Sequence, residues 1–498
     1  MPDARKGPRE EALDAQERAL ADLVAVYPVA DELGHRFAEA GHELYLVGGT
    51  VRDTLLNRPV DDLDFATSAR PEQTERVLSG WAEQIWLTGA RFGTVSGRKD
   101  GFKLEITTFR TDAYNAGSRH PRVTYGRDIR ADLSRRDFTI NAMAVRVPEH
   151  RVVDPFSGLR DLHDRVLRTP VSPEVSFGDD PLRMVRLARF AAVLEAKVDE
   201  ATQAAATAMA SRLGEISRER IRDEFTRLIT APCQARGMDL LCATGLADQF
   251  IPEIPALRME HDPLHHHKDV YLHTLAVVDR CPREDLILRL AALLHDIGKP
   301  ATRKFHPGGK VSFHHHEVVG ARMARARLTE LRYPSEVVDQ VSDLVFLHLR
   351  FHGYADGGWT DSAVRRYVRD AGSLEQLRRL NLLTRADVTT RNVAKAQRLA
   401  RGMDDLEERI ARLADQEELA RIRPALDGHQ IMAYLDLEPG PLVGEARGML
   451  LEARLDHGPM SHDQAYALLD KWAAERGVEH RPVADLVENG SQGMDEGR

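Results

Sequence analysis

The hydrophobic period of this chain changes once, near residue 161, and that change sets the architecture. Ahead of it, runs such as ELYLVGG, VDDLDFAT and LEITTF have strand length and are separated by turn residues. Residues 29–40 break that pattern as a helix, with Pro28 suited to its first turn and Gly41 to its end. Behind residue 161, apolar residues recur every three or four positions through PLRMVRLARFAAVL, ERIRDEFTRLI, LILRLAALLHDIG and LEERIARLADQEELARI. No repeat of fixed length is visible. The expected class is α+β: a mixed α/β head followed by an all-helical body. With 498 residues, 42% of them apolar, the chain can fill several cores. Its net charge of −9 means that a nucleic-acid partner would need a local basic surface. Cys233, Cys242 and Cys281 form no CxxC pair and fit a reducing compartment. A polar N-terminus, and no uncharged run near ~18 residues, predict a cytoplasmic protein without membrane contact.

Three constellations in the first half carry chemistry. The apolar run ending at Val47 leads into Gly48 and Gly49, where backbone N–H groups can approach a phosphate closely. Asp62 and Asp64 follow on a predicted strand, two residues apart and so on one face. Paired carboxylates there repel each other unless a cation lies between them, and Mg²⁺ suits carboxylates plus phosphate oxygens. Glu105, on the next acidic strand, offers a third ligand and shares its face with Lys103 and Thr107. The second constellation is Arg135-Arg136-Asp137, whose guanidinium groups can grip a triphosphate while the aspartate bonds a ribose hydroxyl. Residues 110–136 hold seven arginines against three aspartates and read as a mobile basic loop suited to an RNA end or nucleotide.

The series GGTVRD, DDLDFAT, LEITTFR and RRDFTINAMA resembles the class II tRNA nucleotidyltransferase and poly(A) polymerase family. The resemblance implies a polymerase-β-like head in which Asp62 and Asp64 carry catalytic metals. It also implies that Gly48, Gly49, Arg52, Asp53, Arg135, Arg136 and Asp137 hold the phosphates and sugar. Asp154 and Gly158 match the family's hinge between head and neck.

The third constellation is Asp179-Asp180-Pro181-Leu182-Arg183, followed by Arg186 and Arg189. Pro181 suits a helix start, with the aspartates in its favourable first turn and Arg183 adjacent to Asp180 on the surface. One carboxylate acceptor and one guanidinium donor satisfy cytosine or adenine, because both offer an amino donor beside a ring-nitrogen acceptor. Uracil and guanine present oxygen instead, and are rejected because polar groups are left unpaired. In the family an E/D-D-x-x-R motif is this template; Asp179 here replaces the commoner glutamate and is read as supporting.

A fourth set lies in the helical half. His273, His295, Asp296 and Asp387 resemble the ligand series of HD phosphohydrolases, with His316 and His348 as further ligands. Imidazole plus carboxylate suits a divalent transition metal that activates water against a phosphoester. His265–His267 carry no such weight.

The expected division is a flexible lead-in over 1–22, the nucleotidyltransferase head over 23–160, and a base-selecting, RNA-binding helical neck over 161–260. An HD phosphohydrolase-like domain over 261–400, a tRNA-binding helical tail over 401–484 and a disordered end over 485–498 complete it. Arg378, Arg379, Arg385, Arg391, Lys395, Arg398 and Arg401 offer a phosphate track. The expected function is addition of C, C and A to tRNA 3′ ends from CTP and ATP, with no obligate protein partner. The alternatives are a poly(A) polymerase or a CC- or A-only enzyme. From another class comes an HD phosphohydrolase whose head only binds RNA.

Overall fold

A computed structural model describes residues 27–113, 122–126, 128–259, 269–307, 311–351, 354, 359–389, 392–417 and 422–478. The expected lead-in and disordered end, residues 114–121 and Arg127 of the basic stretch, His265–His267 and Arg391 lie outside them. The chain forms two compact units, residues 1–255 and 256–498.

The first unit begins with helix α1 (Pro28–Glu39), strand β1 (Leu44–Val47), helix α2 (Gly49–Leu55), strand β2 (Asp62–Thr67) and helix α3 (Pro71–Leu78). Strands β3 (Gln84–Trp86), β4 (Thr94–Lys99), β5 (Phe102–Thr108), β6 (Arg110–Ala113) and β7 (Arg122–Tyr125) follow. Helix α4 (Ile129–Ser134) and strands β8 (Ala144–Val147) and β9 (Arg151–Val153) close the head. Seven strands make one mixed sheet in the order β3-β4-β5-β2-β1-β8-β9. Only β2 and β5 run parallel, and their register sets Asp64 opposite Glu105.

Alternation decides which side chains reach which core. Leu63 and Phe65 of β2 join Leu104 and Ile106 of β5 and Leu33 and Phe37 of α1 in the main core. Each such residue contributes roughly 1.5–3 kcal/mol by leaving water. Tyr45, Val47 and Ala66 point to the opposite face, against Phe109 and Leu133. Asp62 and Asp64 share that second face but lie at the strand's start, beyond its apolar cluster. The basic stretch differs from the expected loop, because β6 and β7 pair antiparallel in register Arg110 to Tyr125.

The neck comprises helix α5 (Gly158–His163), strand β10 (Val166–Leu167), helix α6 (Pro173–Asp179), helix α7 (Leu182–Leu194) and strand β11 (Lys197–Val198). Helices α8 (Glu200–Ala208), α9 (Arg218–Ile229) and α10 (Gln234–Ala243) complete it. It is not wholly helical, since β10 and β11 form a short parallel pair. Gly158 seats α5 tightly: a Cβ there would stand 2.2 Å from the Thr139 carbonyl. Asp154 caps the same helix, accepting from the N–H groups of Gly158 (2.7 Å) and Leu159 (2.9 Å).

The second unit starts with helices α11 (Val270–Asp279), α12 (Leu286–Leu294) and α13 (Lys299–Thr302). A small antiparallel pair, β12 (Lys304–Phe305) and β13 (Val311–Ser312), leads to helices α14 (His316–Glu330) and α15 (Ser335–Leu347). Helices α16 (Asp361–Ala371), α17 (Leu374–Asp387) and α18 (Val393–Glu417) follow, then α19 (Gly428–Leu435), α20 (Pro441–His457) and α21 (His462–Arg476). The last three share a core built around Ile431, Tyr434, Leu450 and Leu469. Among the described residues no helix is long and apolar enough to cross a membrane.

Candidate active sites

The strand-to-helix turn at the head is set by Gly48, whose φ of +68° and whose approach to Arg136 exclude a side chain. Thr50, in the first turn of α2, ties that turn to β2. Its Oγ1 donates to the Asp62 carbonyl (3.3 Å) and accepts from the Asp64 N–H (3.0 Å). Asp62 and Asp64 then lie on one face of β2, with Glu105 beside Asp64 on β5. Burial pushes the Asp64 carboxyl up to about 6, and the negative charges of Glu105 and Asp62 add to the shift against Arg136 and Lys103. Lys103 partly answers the charge by pairing with Glu105. A cluster of acids with one raised this far suits a divalent cation.

The arginines around this cluster are already held. Arg135 gives two bonds to buried Asp132 (2.7 and 3.0 Å) and Arg136 a weaker one (3.3 Å). Burial alone would raise Asp132, but Arg136 and Arg135 outweigh it and keep the carboxyl below its usual range. Arg52 grips Asp53 with two bonds (2.6 and 3.0 Å) and also donates to Asn141 (2.5 Å). Asp137 accepts from Asn141 (2.9 Å) and twice from Arg186 (2.6 and 2.9 Å). Arg186 and Arg189 both reach Glu224 of α9 at 3.1 Å. The RRD segment is thereby linked through α7 to a buried acid in the neck.

The template pair is arranged differently from the sequence expectation. Asp179 ends α6, and Asp180 stands at the junction with extended backbone (φ −145°) rather than inside the first turn of α7. Asp180 Oδ1 caps α7 by accepting from the Leu182 N–H (3.1 Å), and Oδ2 accepts from Arg220 of α9 (2.9 Å). Arg183 does not meet Asp180. Its guanidinium donates to Ser176 (2.9 Å to Oγ) and to the Arg135 carbonyl (2.5 Å).

In the second unit, α12 delivers His295 and Asp296 from a fully apolar helix end. His273 comes from α11, His316 from the start of α14, His348 from the end of α15 and Asp387 from the end of α17. A Cβ on Gly298 would stand 2.2 Å from the His316 carbonyl, so this glycine admits α14 to the site. Nδ1 of His295, His316 and His348 lies 2.6–2.8 Å from the carbonyl three residues earlier. A carbonyl only accepts, so each Nδ1 carries a proton and each Nε2 is turned inward, where it can ligate a metal once it carries no proton of its own. His273 is oriented similarly by Thr389 Oγ1 (2.7 Å).

Asp296 sits in the middle. Its Oδ2 is 3.1 Å from His295 Nε2 and 3.6 Å from His273 Nε2, while its Oδ1 is 3.3 Å from His316 Nε2. Asp387 reaches His273 at 2.9 Å and His295 at 3.7 Å. The ligand atoms fall into two groups sharing Asp296: His273 and His295 on one side, His316 and His348 on the other. Nε2 of His316 and of His348 are buried without a hydrogen-bond partner, which fits donors shaped for metal. Burial, reinforced by His295, pushes the His348 imidazole down to about 3. Burial would raise Asp296, but His295 holds it well below the usual range.

Sequence reading missed Thr50, Asn141, Glu224, Arg220, Thr389 and Lys299, the last lying 2.6 Å from Asp296. All act through a partner distant in sequence or by orienting a ligand, so only the HDIGK spacing could have pointed to Lys299. Three members of the expected phosphate track are engaged: Arg378 and Arg379 pair with Asp285, and Arg385 with Asp404 and Glu407.

Comparison with known proteins matches both units of the chain. The family model "Poly A polymerase head domain" matches residues 44–168. "Probable RNA and SrmB- binding site of polymerase A" matches 197–257, and "HD domain" matches 264–420. An A-adding tRNA nucleotidyltransferase of Deinococcus radiodurans is 36% identical over 443 residues, covering 86% of this chain and 95% of its own. A CCA-adding enzyme of Streptococcus thermophilus is 42% identical over 235 residues, 47% of this chain and 57% of its own. The crystal structure of a Bacillus stearothermophilus CCA-adding enzyme in complex with CTP has a TM-score of 0.65 at 25% identity, covering 91% of this chain and 98% of its own. On that near full-length relationship, the chain belongs to the tRNA nucleotidyltransferase and poly(A) polymerase family, in a form that carries an HD domain.

Proposed function

We propose that this enzyme completes tRNA 3′ ends by adding C, C and A from CTP and ATP without a nucleic-acid template. The observation that carries the reading is the acid cluster of Asp62, Asp64 and Glu105 beside the Gly48–Gly49 turn. These acids would hold Mg²⁺, which supplies charge neutralisation along the triphosphate and acidifies the attacking 3′-hydroxyl. The chain itself presents the N–H groups at the start of α2 to the phosphates, with Arg52 and Arg136 close by. Asp137 sets the sugar, and Asp180 and Arg183 select the base once they exchange their present partners. Asp53, Arg135, Arg186 and Arg189 hold this frame in place. On this reading the protein works in the cytoplasm, beside its tRNA and nucleotides.

In the second unit, His273, His295, Asp296, Asp387, His316 and His348 would hold one or two divalent transition-metal ions, supplying Lewis-acid chemistry toward a phosphoester. We assign to that unit a phosphohydrolase activity separate from nucleotide addition.

A second reading, addition of A alone, is favoured by the name of the Deinococcus relative, which matches this chain nearly end to end. One incubation separates the two. tRNA ending at the discriminator base, and tRNA ending in CC, are each given labelled CTP, ATP or both. Full addition labels the shorter tRNA with CTP and extends it by three nucleotides with both. Extension of the CC-ended tRNA alone would establish the A-only reading, and a long A tract would establish a poly(A) polymerase.

A further inference from the structure

An arginine-rich cleft of about 430 Å³ opens between helices α2, α7 and α9 of the first unit, within the usual size of a ligand pocket. Its lining includes Arg52 and Asp53 of α2, Arg58 just beyond that helix, Arg189 and Phe190 of α7, and Arg227 of α9. None of Asp62, Asp64, Glu105, Asp180 or Arg183 lines it.

Four guanidinium groups face one carboxylate, and they are unequally engaged. Arg52 is bound by Asp53 and Asn141. Arg58 donates to the Val193 carbonyl (3.2 Å), reaches Asp53 only at 4.0 Å, and its side chain is 40% exposed. Arg227 approaches Glu224 at 3.9 Å with its side chain 65% exposed. Nε of Arg189 stands 3.1 Å from Glu224 Oε2, yet the alignment leaves both atoms buried without a hydrogen bond. Burial lowers Arg189 to about 10 against the pull of Glu224, with Arg186 and Arg227 adding to the fall. The cleft is short of negative charge.

Phe190 is no stacking platform. Its ring is covered by the guanidinium groups of Arg189 (4.3 Å), Arg52 (5.1 Å) and Arg186 (5.7 Å). Recognition here is by charge, which reads a backbone and tolerates any base. Position along α2 selects the source of that backbone. The phosphate-binding turn is at the start of the helix, whereas Asp53 and Arg58 lead away from it toward the other end. Arg52 and Asp53 are shared with the nucleotide site, whereas Arg58 lies beyond the end of that helix and Arg227 on α9. The primer strand, by contrast, must run away from its reacting hydroxyl.

We propose that this cleft holds the phosphodiester on the 5′ side of the primer's 3′-terminal nucleotide, with Arg58 and Arg227 as its contacts. The proposal rests on reading the chain as an enzyme that extends an RNA 3′ end. A base-blind contact suits a primer whose terminal base changes after every addition.

The test uses the full-length enzyme and an RNA minihelix ending in CC, in a normal form and with a neutral methylphosphonate at the last linkage. Binding is measured without nucleotide, so a failure of the CCA reading, seen as no incorporation by the wild type, remains separate. Arg58→Ala and Arg227→Ala each raise the RNA Kd about fivefold and reduce the salt slope by roughly 0.7–0.9 per lost contact. The KM for CTP and ATP stays within twofold. The neutral linkage weakens binding to wild type by a similar factor and weakens binding to the double variant no further. Arg227→Glu, at an exposed position that leaves the fold intact, weakens binding more than Arg227→Ala. A raised nucleotide KM with unchanged RNA Kd would overturn the proposal in favour of a second nucleotide subsite. A methylphosphonate penalty undiminished in the double variant would overturn it as well.

Discussion

The two acidic centres of this protein are built on opposite plans. In the head, three carboxylates lie at the start of a parallel strand pair, and burial pushes Asp64 up to about 6, with Glu105 and Asp62 adding to the shift. In the second unit, imidazoles and carboxylates sit among buried helix ends, each of three rings turned by its own hydrogen bond so that its Nε2 points inward. The first centre carries crowded negative charge that the proposed cation would relieve. The second is assembled by folding, with its ring nitrogens already turned toward the shared Asp296. Loose acids suit an ion that comes and goes with each nucleotide, whereas oriented imidazoles suit an ion that stays.

The sharpest way to break this contrast is Asp64→Ala. It should reduce nucleotide incorporation roughly 10³-fold or more, with tRNA affinity and metal content of the second unit unchanged. Retained incorporation would remove the acid cluster from the chemistry. Asp296→Asn tests the other centre. Losing the carboxylate shared by both ligand groups should weaken metal retention roughly 100-fold, read as metal per chain after dialysis, while incorporation persists. Loss of end repair in this variant would mean that the head only binds RNA and the second unit does the work.

A smaller effect is expected from Asp180→Ala, which should lower the preference for CTP and ATP over UTP and GTP by roughly 10–100-fold. Unchanged selectivity in competition assays would show that base choice lies elsewhere. The smallest effect is a pH dependence. An Asp64 carboxyl raised from 3.8 to about 6 takes up its proton in the folded protein where the unfolded chain does not. Without divalent cation, stability is therefore fullest below about pH 4 for this group and falls as pH rises through about 6. Cation binding to the head should weaken about tenfold per pH unit below that value, by calorimetry, since one proton must leave. A flat profile would mean that the acids are neutralised from within the protein.

Legibility in the sequence followed the range of the interaction. Asp62 and Asp64 share a face because strands alternate, and residues 28–39 form a helix because Pro and Gly bracket an apolar stripe. The order of His273, His295, Asp296 and Asp387 along the chain likewise foretold a cluster. What stayed hidden depends on who meets whom across elements. Asp180 and Arg183 satisfy the helical spacing on paper, but the chain breaks between α6 and α7 and each finds another partner. Arg379 looks like a solvated cation until Asp285 is brought beside it. Glu224 is one acid among many in an amphipathic helix, and only packing against α7 makes it the hub for Arg186 and Arg189.

The Arg220–Asp180 bond carries one more consequence. Since a full positive charge already occupies the carboxylate, a nucleobase read by Asp180, as proposed, would compete against a resident rival instead of filling a vacant slot. A base offering a well-placed amino group can win that contest; one presenting oxygen leaves the rival seated. Fidelity on this view begins before any phosphate is transferred, in the reluctance of one arginine to give up its place.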